Sequence, residues 1–144
     1  MTTTKNYRKT VTFNCTPEDL FDVFMNSRDH AAVTGSTAHV TRKPGTHFVA
    51  YAGWIEGYTL DCKPGKEIVQ AWRGKDWAKG DWSLCTFRFT KMTGGRCKMV
   101  FTQVGIPQAK YKKVANGWTS FYWNKIRDWC DESHETPVRW RRAA

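Results

Sequence analysis

The chain has 144 residues, 40% hydrophobic and 15% aromatic, with a net charge of +10. That size suits one domain with a real core, and the aromatic content excludes a disordered chain. No apolar run approaches the roughly 20 residues of a membrane span, and the opening MTTTKNYRKT lacks the apolar stretch of a secretory signal, so a cytoplasmic protein is expected.

In chain order, Thr10 to Cys15 alternates, with Val11, Phe13 and Cys15 on one side, which predicts a strand. "CTPEDLFDVFMN" then predicts a short helix. Thr16 is a good N-cap, Pro17 suits the first helical position, and Glu18 and Asp19 favour the positive helix end. A second helical turn is expected from Arg28 to Val33, ended by Gly35.

Strands follow in series: Thr37–Arg42, Thr46–Ala52, Trp54–Cys62, Glu67–Arg73, Trp82–Thr90 and Arg96–Val104. Lys-Pro-Gly and Met-Thr-Gly-Gly turns separate several of them, which implies an antiparallel sheet with sequential neighbours. Between two of these strands lies "QAWRGKDWAKGDWSL". Its Trp72, Trp77 and Trp82 are spaced by five, so they cannot share a helical face, and Gly74 and Gly80 break any single element. The stretch reads as strand, loop, strand, with Trp72, Trp77 and Trp82 at a groove rim.

The last element is a helix over Asn116–Glu132, with Asn116 as its N-cap. Trp118, Phe121, Tyr122, Ile126, Trp129 and Cys130 recur at steps of three and four and form one face. The expected fold class is therefore α+β: a curved antiparallel sheet of six or seven strands wrapped round a long C-terminal helix. Two short helices follow strand 1. One domain is expected over 8–133, with flexible termini at 1–7 and 134–144.

Five cysteines, with no CxxC, suggest neither a disulfide framework nor a zinc ribbon. The four histidines lie at no metal-ligand spacing, and only His39 and His47 are brought together by a turn. GxSxG, P-loop and GxGxxG patterns are absent. Asp76 and Asp81 flank the tryptophan loop and read as turn-stabilising aspartates rather than an acid–base pair. No catalytic residue, metal or cofactor is assigned, and the chain is read as a non-enzyme.

The groove between sheet and helix is the main candidate site. Phe87, Phe89, Met99, Phe101 and Gln103 on the last hairpin should face Trp118, Phe121, Tyr122 and Trp129. Such a lining either closes into a filled core or leaves a pocket for an apolar small molecule or lipid.

A second candidate is a basic face for a partner. No acidic residue occurs from Trp82 to Arg127, against nine basic ones. Arg88, Arg96, Lys98, Lys110, Lys112 and Lys113 are taken as that face, suited to an acidic protein surface. Specific nucleic-acid binding is not expected, because only Tyr111 and Trp140 interleave aromatics with the charges.

The segments "TPEDLFDVFMN", "HAAVTGSTA", "GWIEGYTLDCKPGKEIVQAWRGKDWAKGDWS", "VGIP" and "NGWTSFYWNKI" occur in that order from about Val11 to Cys130. Together they resemble the C-terminal domain of the activator of the ninety-kilodalton heat-shock protein's ATPase, and the START-like (SRPBCC) proteins grouped with it. The resemblance implies the helix-grip fold and a chaperone partner. Some START-like relatives hold lipids or other apolar ligands in the groove, and some are cyclases. The family's two-domain co-chaperone carries an extra N-terminal domain and an "NWHW"-type segment. Neither is seen here, so the chain is read as the second domain standing alone, a chaperone binder rather than a full ATPase stimulator.

Overall fold

The structure, a computed structural model, describes residues 3–133. Six strands form one antiparallel sheet: β1 (Thr4–Phe13), β2 (Thr46–Ala50), β3 (Ile55–Lys63), β4 (Glu67–Gly74), β5 (Ser83–Met92) and β6 (Arg96–Pro107). Their order is β1-β6-β5-β4-β3-β2. From β2 to β6 each strand pairs with the next in sequence, as the turn punctuation predicts, and β1 closes on β6 with Val11 opposite Met99.

α1 (Pro17–Met25) is capped as expected, with the Thr16 hydroxyl accepting from the Asp19 amide at 3.1 Å. α2 (Ser27–Thr34) ends at Gly35, which takes the left-handed φ of 74° that glycine tolerates best. The C-terminal rod is α3 (Tyr111–Trp118), a π-helical turn (Thr119–Trp123) and α4 (Asn124–Ser133).

The structure alters four expectations. β1 begins at Thr4, so residues 4–7 belong to the sheet and not to a flexible terminus. Only Val11 and Phe13 of β1 are fully buried, so most of this edge strand carries no alternating pattern to read.

Thr37–Arg42 is not a strand. It touches β2 through one bridge, His39 to Val49. Side chains of other elements take up further backbone groups: the Val40 amide donates to Ser27 Oγ at 3.0 Å, and Thr59 Oγ1 donates to the Thr41 carbonyl at 2.8 Å. The segment thus covers the edge of the sheet.

The C-terminal helix starts at Tyr111, and Asn116 lies inside it rather than at its cap. Within it, the wider π-helical turn lets Tyr122 and Trp123 enter the core together and turns Phe121 outward. The expected terminus over 134–144 lies outside the described residues.

The core sits between the concave sheet face and the three helices. Leu20, Phe21, Val23, Phe24 and Met25 of α1 are all buried, so α1 is a core element in its own right. Trp118 is the hub of the aromatic packing, with ring centroids 4.5 Å from Phe101, 4.8 Å from Tyr122 and 5.1 Å from Trp123. The hub's polar atom is satisfied by a buried relay. Trp118 Nε1 donates to Gln103 Oε1 at 2.7 Å, Gln103 Nε2 to Ser83 Oγ at 2.9 Å, and Ser83 Oγ to the Trp72 carbonyl at 2.8 Å.

Candidate functional site

Phe87, Phe89, Met99, Phe101 and Gln103 are all buried, and none of them lines the pocket described below. Phe24 of α1 wedges in, 4.6 Å from Phe87 and 6.1 Å from Tyr122. The sequence pattern assigned the whole groove to the C-terminal helix, whereas Phe24 of α1 packs into it as well. Trp129 packs half-buried at the core's edge.

Space remains at the other end. A pocket of about 450 Å³ opens where β3 and β4 meet the start of the C-terminal helix. Trp72, at the end of β4, and Trp77, inside the following loop, form one wall, with rings 5.6 Å apart. Val114, Gly117, Trp118, Phe121 and Tyr122 supply the helical wall. Tyr51, Trp54 and Ile55 supply the third, from the connection between β2 and β3. Almost all of this surface is apolar, and the volume falls in the usual range for small-molecule sites.

Trp82 is not at this rim. It sits one residue before the buried Ser83 that opens β5, so strand alternation puts it on the outer face of the sheet, near Tyr58 with centroids 5.8 Å apart. Of the expected lining, Trp118, Phe121 and Tyr122 reach the pocket, together with Trp72 and Trp77 from the expected rim.

Backbone strain marks the third wall. Tyr51 and Ala52 both have left-handed φ values, 50° and 54°, a conformation that costs a non-glycine residue about 1 kcal/mol or more. The Tyr51 hydroxyl donates to the Phe121 carbonyl in the π-helical turn, and its ring lies 5.5 Å from both Phe121 and Tyr122. Burial pushes the Tyr51 phenol up to about 12. No sequence signal pointed to this clamp, because the strain is in the backbone.

Behind the pocket, His30 Nε2 lies 2.9 Å from the Tyr122 hydroxyl. Burial depresses the His30 imidazole to about 4, so it is neutral at physiological pH, and burial raises the Tyr122 phenol well above its ordinary range.

Cations line the mouth. Asp76 Oδ2 accepts from Lys113 at 2.8 Å and Lys110 at 3.2 Å, and the Lys113 contact is the main reason its carboxyl sits below the ordinary value. Such a carboxylate stays ionised, which suits an ion-pair anchor and not a general acid. Two ammonium groups lie over the exposed Trp54 ring, Lys75 at 5.3 Å and Lys113 at 5.8 Å from its centroid.

The six residues of the expected basic face do not converge. Lys110, Lys112 and Lys113 stand at the start of the C-terminal helix, and Lys110 and Lys113 reach the pocket mouth. Arg88, Arg96 and Lys98 point outward from the opposite end of β5 and β6, roughly 30 Å away along β6. Arg88 is paired there with Glu67 at 2.9 Å.

The outer face of the sheet carries a feature the sequence reading did not isolate. Val104, Leu84, Ala71 and Tyr58 are neighbours across β6, β5, β4 and β3. Val104, Leu84 and Tyr58 are each more than two-fifths exposed, as are Trp82 beside them and Leu60 on β3. The band passes through Thr102, Thr86 and Val69 to the Arg88, Lys98 and Arg96 end. Among the described residues, no group of three or more His, Cys, Asp or Glu side chains is arranged to hold a metal ion, and no helix is long and apolar enough to cross a membrane.

Residues 14–130 match the family model described as "Activator of Hsp90 ATPase homolog 1-like protein". The chain belongs to this family. It is 33% identical over 125 residues to a Dictyostelium discoideum activator of 90 kDa heat shock protein ATPase homolog, covering 87% of this chain and 33% of that protein. The human activator of 90 kDa heat shock protein ATPase homolog 1 is 29% identical over 116 residues, covering 81% of this chain and 34% of that protein. The chain thus spans about a third of the length of these curated relatives.

Among solved structures, an HSP90 activator from Plasmodium falciparum superposes with a TM-score of 0.78 at 28% identity, covering 84% of this chain and 92% of that one. A Mesorhizobium loti protein superposes at 0.76 with 17% identity over 90% of this chain and 98% of that one, which speaks for the shared fold alone. The expected helix-grip architecture is the one this family adopts.

Proposed function

We propose that this family member is a cytoplasmic chaperone-binding module whose partner is the ninety-kilodalton heat-shock chaperone. The observation that carries the proposal is the likeness to the Plasmodium falciparum HSP90 activator, a chain of which 92% is covered by this fold. The outer sheet face is the assigned docking surface. Its exposed Tyr58, Leu60, Trp82, Leu84 and Val104 offer an apolar centre, and Arg88, Arg96 and Lys98 offer a cationic flank for an acidic partner. In that arrangement the aromatic centre supplies affinity, and the flanking charges supply selectivity and encounter rate. Co-precipitation with the purified chaperone at low and high salt tests the proposal. Binding at low salt that weakens at high salt supports it, and no binding at low salt overturns it.

A second reading rests on the pocket of about 450 Å³, which suits an apolar small molecule or lipid. Native mass spectrometry of the purified protein tests this directly. A co-purified organic mass lost on denaturation supports it. Failure to take up any added apolar ligand counts against it.

A further inference from the structure

We infer that the pocket takes an anionic amphiphile, a molecule with an apolar body and a single carboxylate-type head. The inference rests on the small-molecule reading of the pocket and adds the chemistry of its ligand.

The floor and walls are aromatic, so the body of a ligand must be apolar. The polar side chains at the site are mostly donors, with Asp76 the one carboxylate among them. Trp118 and Tyr122 already have hydrogen-bond partners, whereas the indole N–H of Trp77 has no acceptor among the described residues. Gly74 leaves room for that N–H. A Cβ there would lie 2.9 Å from Trp77 Nε1 and 3.2 Å from Asp76 Oδ1.

The mouth has unbalanced charge. Lys75, Lys110 and Lys113 stand against one carboxylate, Asp76, and α3 has no acidic residue in its first turn. Each ammonium has three N–H donors, so the contacts of Lys110 and Lys113 with Asp76 leave donors free. Lys75 has no carboxylate partner among the described residues, only the Trp54 ring. A ligand head at the mouth therefore meets surplus cations beside a low-dielectric aromatic wall, where opposite charge is favoured most. An aromatic box also attracts quaternary ammonium ligands. Here two lysines already occupy the approach to Trp54 and repel a further cation.

The test is a fluorescence titration of the full chain, read on its tryptophans, with octanoate, octan-1-ol and octyltrimethylammonium below their micelle concentrations. Octanoate is expected to bind about ten-fold tighter than octan-1-ol, with the ammonium weakest. The double variant Lys75→Gln, Lys113→Gln is expected to lose that preference while binding octan-1-ol as before. Both lysines are exposed, so the fold is retained and a melting curve checks it. Gly117→Leu, which projects a side chain into the pocket, is expected to abolish binding of all three. Octan-1-ol equal to octanoate, or the ammonium strongest, overturns the inference and leaves the small-molecule reading standing. If none of the three binds, both fall.

Discussion

Arg73 holds Trp77 in place through the backbone: its Nη2 donates to the Trp77 carbonyl at 2.7 Å. The same nitrogen reaches the Ala78 carbonyl at 3.1 Å, Nε reaches the Asp81 carbonyl at 3.3 Å, and Nη1 pairs with Glu56 at 3.4 Å. One largely buried guanidinium therefore ties the whole loop between β4 and β5 to the sheet. Charged hydrogen bonds of this kind contribute about 1.5–3 kcal/mol each where solvent is excluded, less where it competes.

Arg73→Met is accordingly expected to destabilise the protein by about 2 kcal/mol. Loss of the loop's anchor should also expose Trp77. Chemical denaturation measures the first effect, and a red-shifted tryptophan emission in the native baseline measures the second. An unshifted spectrum would mean the loop is held by other contacts.

Gly57 is a position where backbone and side chain come too close for any Cβ. An added carbon would lie 1.9 Å from the Ala71 carbonyl oxygen and 2.6 Å from the Phe48 ring. Gly57→Ala is expected to cost more than about 3 kcal/mol, since the first of these neighbours is backbone of the paired strand and cannot swing away. Thermal unfolding reads this directly.

His30 gives stability a pH dependence of definite sign. Its folded value is about 4 against an ordinary 6.5, so between these limits the unfolded chain binds more protons. Its contribution is fully present above pH 6.5 and is lost as pH falls towards 4, by roughly 3 kcal/mol in all. Urea midpoints at intervals across that window should fall steadily in the wild type. The slope should flatten in His30→Gln, whose amide can still meet the Tyr122 hydroxyl.

Local chemistry made much of this fold legible in the sequence. Thr16 and Pro17 announced α1, Gly35 ended α2, and the glycines of the β5–β6 turn have the left-handed φ that the turn demands, 76° and 71° at Gly94 and Gly95. The alternation in β5 and β6 identified which side chains face the helix. What stayed hidden was tertiary. Nothing in "LFDVFM" says that Phe24 will pack against Phe87 and Tyr122, and the open pocket lies at the tryptophan loop. The π-helical turn shifted the helical register by a residue, so the pattern buried Phe121 and overlooked Trp123. Grouping the basic residues by sequence merged two clusters that the length of β6 holds apart.

The most direct test of the central claim is a binding titration of the labelled chain against the purified ninety-kilodalton chaperone at low salt. Wild type, Leu84→Glu and the pocket-filling Gly117→Leu would be compared. Leu84 is exposed at the centre of the outer face, so a charge there should leave the fold intact and weaken binding at least about ten-fold, while Gly117→Leu binds as wild type. Absence of wild-type binding, or a Leu84→Glu protein that binds unchanged, would contradict the account.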